Sequence, residues 1–110
     1  MAAKYQVYKG NDGQFYFRLK AANGENILGS EGYSTKASAL NGIASVRVNS
    51  PHDGNYLRQT SSDNRYYFVL RAANYEPLGK SQLYPTTQAR EVGIQSVKTN
   101  GPTAPIEDLT

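Results

Sequence analysis

The chain has 110 residues, a formal net charge of +3, no cysteine and a single histidine, His52. That composition excludes disulfides and thiolate metal sites and leaves no set of imidazoles from which to build a metal centre, so no metal or cofactor is expected. No stretch reaches membrane-spanning length, and the start, Met1-Ala2-Ala3-Lys4-Tyr5-Gln6, lacks the apolar run of a secretory signal; the expected location is the cytoplasm, with no membrane partner.

In chain order, Tyr5-Gln6-Val7-Tyr8 reads as a short strand of β-favouring residues. Asn11-Asp12-Gly13 is a hairpin turn, because Asp-Gly supplies the positive φ angles that tight hairpins need. The strongest strand runs from Phe15 to Ala21. Phe15, Phe17, Leu19 and Ala21 point inward on it, and Tyr16, Arg18 and Lys20 point outward. Asn23-Gly24 makes a second turn, and a weaker strand covers Asn26 to Ser30. A helix follows, capped by Ser34 or Thr35, with Ala39, Ile43 and Val46 as its apolar stripe. Asn49-Ser50-Pro51 ends it, since Asn tolerates the left-handed conformation and Pro cannot continue the ladder.

The same elements then recur. A shift of 51 positions lays residues 4–51 on residues 55–102 without a gap, and 18 of the 48 aligned positions are identical. Ser62-Asp63-Asn64 replaces the first turn, with Asn64 in the role of glycine. Tyr66, Phe68, Leu70 and Ala72 form the inward set, and Tyr67, Val69 and Arg71 the outward set. Pro77 to Ser81 is the weaker strand, where a proline suits a strand start or an edge. Thr86 or Thr87 caps a second helix with Ala89, Ile94 and Val97 as its stripe, and Asn100-Gly101-Pro102 stops it. Gly42 and Gly93 fall mid-helix inside both stripes, where glycine costs about 1 kcal/mol relative to alanine. Their recurrence points to close packing of each helix on an aromatic strand.

A unit of 48 residues is too small for a comfortable core of its own. The halves are therefore expected to share one, in a single domain over residues 1–110 with repeats at 4–51 and 55–102 and a short acidic tail at 103–110. The fold class is α+β: β-β-β-α units related by a pseudo-twofold around one mostly antiparallel sheet, with two helices packed on one face.

The segments Phe15–Gly24, Ser30-Glu31-Gly32-Tyr33 and Gly42–Arg47, with their counterparts in the second repeat, resemble the YegP-like family of small bacterial proteins, over nearly the whole chain. The resemblance implies tandem β-β-β-α-β units on one shared sheet, with terminal strands exchanged between them. It further implies that Asn55–Thr60 and the tail play matching roles, each as the strand after a helix. It carries no established biochemical activity.

No catalytic constellation stands out, and an enzyme is not expected. A serine nucleophile needs a base, and His52 lies in the linker beside Asp53 as an ordinary turn residue. Asp12 and Asp63 are turn residues, and Glu25 and Glu76 are exposed strand ends rather than paired acids. Gly10-Asn11-Asp12-Gly13 lacks the Lys-Ser/Thr of a phosphate loop. Tyr33 and Tyr84, just before the helix caps, are expected to fold over the core edge with their hydroxyls in water.

Charge is more informative. Each repeat carries six Lys/Arg against three Asp/Glu, and Asp53, Glu107 and Asp108 bring the total back to +3. The candidate binding face is the outward set Tyr16, Arg18, Lys20, Tyr67 and Arg71. The leading expectation is a small monomeric, non-enzymatic binding or structural module with an unidentified macromolecular partner. The alternative is a nucleic-acid-associated protein that stacks bases on the tyrosines and neutralises phosphates with Arg and Lys. The competing explanation for that face is a solvated sheet surface shielded by cross-strand Tyr and Arg packing.

Overall fold

The computed structural model describes residues 2–110. Strands β1 (Lys4–Lys9), β2 (Phe15–Lys20) and β3 (Asn26–Gly29) lead into helix α1 (Lys36–Asn49). A short 3-10 turn at Asp53–Asn55 opens the second set: β4 (Tyr56–Thr60), β5 (Tyr66–Arg71), β6 (Pro77–Lys80), helix α2 (Thr87–Asn100) and a last strand, β7 (Ile106–Asp108). All seven strands form one sheet in the order β4-β5-β6-β3-β2-β1-β7. Every neighbouring pair is antiparallel except β1 and β7. The pseudo-twofold runs through the β3–β6 seam, where the two repeats meet edge to edge.

The inward alternation of β2 and β5 becomes the core. Phe17, Leu19, Phe68 and Leu70 are fully buried and belong to one cluster with Ile43 and Val46 of α1 and Ile94 and Val97 of α2. Both helices therefore cover the same face. Neither stays within its own repeat: α1 reaches β5 and β6, and α2 reaches β3. Tyr5 of β1 donates its hydroxyl to the Gly101 carbonyl at the end of α2 (2.6 Å), and Tyr56 of β4 donates to the Ser50 carbonyl at the end of α1 (2.7 Å). These buried bonds satisfy carbonyls that a helix end otherwise leaves open.

Thr35 and Thr86 are the helix caps, each accepting from the backbone N–H three residues on. Gly42 and Gly93 are close-packed. A Cβ on Gly42 would lie 2.6 Å from the Tyr33 hydroxyl and 2.8 Å from the Phe17 ring, and one on Gly93 would enter the phenol of Tyr84. Tyr33 and Tyr84 stack on Phe17 and Phe68 at centroid distances of 6.2 and 6.4 Å. Each hydroxyl thus sits against a helix glycine, and burial pushes both phenol pKa values up.

Equivalent residues that meet on the axis cannot both be large. Leu28 and Gly79 occupy matching positions, and a Cβ on Gly79 would come within 2.7 Å of the Leu28 side chain. Ser50 and Gly101 also match, and a Cβ on Gly101 would lie 2.5 Å from the Ser50 hydroxyl. One side chain fills a space that the duplication would otherwise assign to two.

Two expectations are corrected. The helices do not end in a left-handed residue: Ser50 and Gly101 are both right-handed helical, and Pro51 and Pro102 do the terminating. Asn49 and Asn100 instead turn back to bond the carbonyls of Ser45 and Ser96. Asn55–Thr60 and the tail do not play matching roles. β4 is the antiparallel hairpin partner of β5, matching β1, whereas the tail crosses to the other repeat and adds β7 parallel to β1. Cations hold it there: Lys4 pairs with Glu107 (3.2 Å), Lys36 pairs with Asp108, and Arg47 donates to the Ala104 carbonyl (2.7 Å). The positions equivalent to Lys4 and Lys36 are Asn55 and Thr87, and Lys98, equivalent to Arg47, is engaged by Asp53, so the β4 edge lacks this set of contacts for an acidic strand.

The hairpin tips use the same backbone in both repeats. Asn64 takes φ 64° where Gly13 has 79°, and Tyr75 takes φ 68° where Gly24 has 84°. A tyrosine in the left-handed region is strained, and Tyr75 is 71% exposed.

Candidate functional site: the helix-free face of the sheet

Strand alternation sends every second side chain of the sheet away from the helices. On β2 these are Tyr16, Arg18 and Lys20, and the antiparallel register places Tyr8, Gln6 and Lys4 of β1 directly opposite them. On β5 they are Tyr67, Val69 and Arg71, with Gln59 and Leu57 of β4 opposite Tyr67 and Val69. Lys80 of β6 stands beside Val69. The five residues singled out from the sequence thus lie on one face in two groups, separated by the short strands β3 and β6.

Both groups are lattices of rings and cations. In the first, Tyr8 and Tyr16 stack at 5.7 Å, the Arg18 guanidinium lies 4.4 Å from the Tyr8 ring centre, and Arg18 Nε donates to Gln6 (2.7 Å). The Tyr16 hydroxyl donates to Asp12 at the hairpin tip (2.5 Å), a bond that holds the carboxyl below its usual range and raises the phenol. In the second, the Lys80 ammonium lies 4.6 Å from the Tyr67 ring centre and the Arg71 guanidinium 5.1 Å from that of Tyr75. All five predicted residues are half-buried by these neighbours. The sequence reading missed Tyr8, Lys80 and Tyr75. Tyr8 was within reach, because Tyr5 and Val7 face inward and alternation sends the residue after Val7 outward; Lys80 needed the β5–β6 register.

Among the described residues, Arg18, Lys20, Arg71 and Lys80 form no salt bridge. Around the helices, by contrast, Arg58 binds Asp53 and Glu91, and Lys98 binds Asp53, which together draw the Asp53 pKa down to about 2. The exception on the open face is Lys4, which pairs with Glu107 of β7; that carboxyl is lowered by its bonds to Gln6 and Lys4.

Between the two groups the face dips. β3 and β6 share a single residue pair, Gly29 and Lys80, and the flanking β2–β3 and β5–β6 ladders slip register further along, at Leu19/Lys20 and Leu70/Arg71. The resulting depression has a volume of about 330 Å³ and is lined by Gly29, Glu31, Val69, Pro77, Gly79 and Lys80. It adjoins a second hollow where Glu31 and Pro77 recur with Tyr33 and Glu76.

The described residues include no group of three or more His, Cys, Asp or Glu that could hold a metal, and no helix long and apolar enough to cross a membrane. His52 is exposed at the head of the linker turn and makes no capping bond.

The model of a domain of unknown function, DUF1508, matches residues 11–56 and 61–108. The UPF0339 protein YegP of Escherichia coli strain K12 is 51% identical over 110 residues, covering all of both chains. A UPF0339 protein of Shewanella oneidensis is 47% identical over the same length, again with full coverage of both. The solution NMR structure of the E. coli protein, itself described as of unknown function, superposes with a TM-score of 0.93, covering 100% of this chain and 95% of that one. A Shewanella oneidensis homologue solved by NMR gives the same TM-score at 47% identity, with 100% and 93% coverage.

Proposed function

The chain belongs to the DUF1508 family, whose function is unknown, and from the geometry of its open face we propose a monomeric, non-enzymatic binding module of the cytoplasm that receives single-stranded nucleic acid on that face. The observation that carries the reading is the set of four cations, Arg18, Lys20, Arg71 and Lys80, that lack a carboxylate partner on a helix-free sheet rich in tyrosine. A polyanion supplies the missing counter-charges, and rings and guanidinium planes accept unstacked bases. The large exposed apolar residues Val48, Tyr75, Leu83, Val92, Ile106 and Leu109 come from different elements, which suits a monomer.

Fluorescence anisotropy with labelled short single strands of RNA and DNA tests it. Affinity should fall with salt, at a log–log slope of about −0.7 per phosphate contact. Arg18→Ala combined with Arg71→Ala should shrink that slope by roughly 1 to 2, and Tyr16→Ala should weaken binding by about 1–3 kcal/mol if the ring stacks on a base. Absence of binding at low salt, or binding indifferent to these substitutions, rejects the proposal.

A further inference from the structure

The hairpin between β5 and β6 carries an exposed ring that the turn itself does not require, and we infer that Tyr75 is the residue by which this surface tells single strands from duplexes, by stacking an unpaired base. This rests on the single-strand reading above and assigns that face its selectivity. The turn is built alike in both repeats. The Tyr75 N–H donates to the Ala72 carbonyl (2.9 Å) and the Glu76 N–H to the Asn74 side chain (3.2 Å), as Gly24 does to Ala21 (2.9 Å) and Glu25 to Asn23 (3.0 Å). Glycine takes φ 84° at the shared position freely, whereas tyrosine at 68° is strained by its Cβ. Burial does not offset that strain: Tyr75 is 71% exposed and belongs neither to the core cluster nor to the residues packed against it. Strain held at an exposed position, with no packing to gain, points to a functional side chain.

The ring stands where a base would meet it. Arg71 points to the open face at the end of β5, and its guanidinium lies 5.1 Å from the Tyr75 ring centre, so the ring borders that face. The other tyrosines there, Tyr8, Tyr16 and Tyr67, are half-buried: the first two stack on each other, and the third carries the Lys80 ammonium. Tyr75 has most of its surface free. A guanidinium against one side of a ring leaves the other side for a base, and Arg71, in no salt bridge among the described residues, can also take the adjoining phosphate. Phosphates line single strands and duplexes alike, so the four cations by themselves attract both. The ring discriminates, because base faces are accessible in a single strand and covered by their neighbours in a duplex, where unstacking must come first.

Anisotropy titrations of the full chain would compare a short labelled RNA strand with the same strand annealed to its complement. The parent should bind the single strand about fivefold or more tightly. Tyr75→Gly should remove most of that preference by weakening single-strand binding while duplex affinity holds, and Tyr75→Phe, which keeps the ring, should behave as the parent. Because glycine relieves the backbone, Tyr75→Gly should also melt no lower than the parent, which a structural role for the ring would reverse. Equal affinity of the parent for the two forms, single-strand binding unchanged in Tyr75→Gly, an equal loss on strand and duplex, or a lowered melting temperature overturns the assignment of Tyr75 and leaves the binding face standing. Failure of the parent to bind the single strand at low salt overturns both.

Discussion

On the face beneath the helices, Arg58 and Lys98 are held by Asp53 and Glu91. On the opposite face Arg18, Arg71 and Lys80 lie over tyrosine rings, and none of them is in a salt bridge among the described residues. The same alternating strands built both. Helix packing surrounds one face with acidic side chains from α2 and the linker, and the other face receives only what neighbouring strands provide. The faces also differ in how much room they leave. Adding a Cβ at Gly42 or Gly93 collides with buried rings, whereas at Gly29 it reaches little. Stability should therefore reside on the covered side, and ligand chemistry on the open one.

The largest expected effect comes from removing one repeat. Residues 1–51 alone lose the Gly101 acceptor of Tyr5, the β7 strand on β1 and the strands β5 and β6 that α1 leans on. That fragment should be unfolded by circular dichroism, or dimeric by analytical ultracentrifugation so as to recover the missing half. A cooperatively melting monomer would mean that the covered face of each repeat suffices by itself.

Gly93→Leu comes next. Overpacking against Tyr84 should cost on the order of 1–3 kcal/mol or more in denaturant unfolding, despite the better helix propensity of leucine. Gly29→Leu on the open face should stay within about 0.5 kcal/mol of the parent. If the two variants melt alike, the contrast between the faces is wrong.

The smallest effect concerns the buried phenols. Tyr5→Phe leaves the Gly101 carbonyl without its donor and should cost about 1 kcal/mol. Burial pushes the Tyr5 and Tyr56 phenols well above their ordinary value of 10.0. As pH rises the unfolded chain loses these protons first. Their stabilising contribution is therefore complete below about pH 10 and is lost as pH climbs towards the folded values. Unfolding free energy measured against pH should fall on the alkaline side, and less steeply in Tyr5→Phe. An unchanged alkaline slope would show that Tyr5 is not the group responsible.

Much of this was legible beforehand. Hydrophobic alternation in Phe15–Ala21 and its copy specified which side chains are buried, because period-two patterning depends only on the strand itself. The caps were narrowed to Ser34 or Thr35 and to Thr86 or Thr87, and the paired glycines were readable as contact points, for the same local reasons. The tail was not readable. Its choice of the β1 edge over the β4 edge depends on Lys4, Lys36 and Arg47, which approach it only once the chain has folded. The sequence alone settled the strands, the helices, the duplication and the burial of each strand's inward side, since these follow from spacing and local preference. Only the tertiary structure decided where the axis runs, which matching positions yield to one another there, as Gly79 yields to Leu28, and that the seam leaves a hollow between two cation-bearing groups. Those are contacts between distant residues, and a linear pattern does not encode how two copies of it will meet.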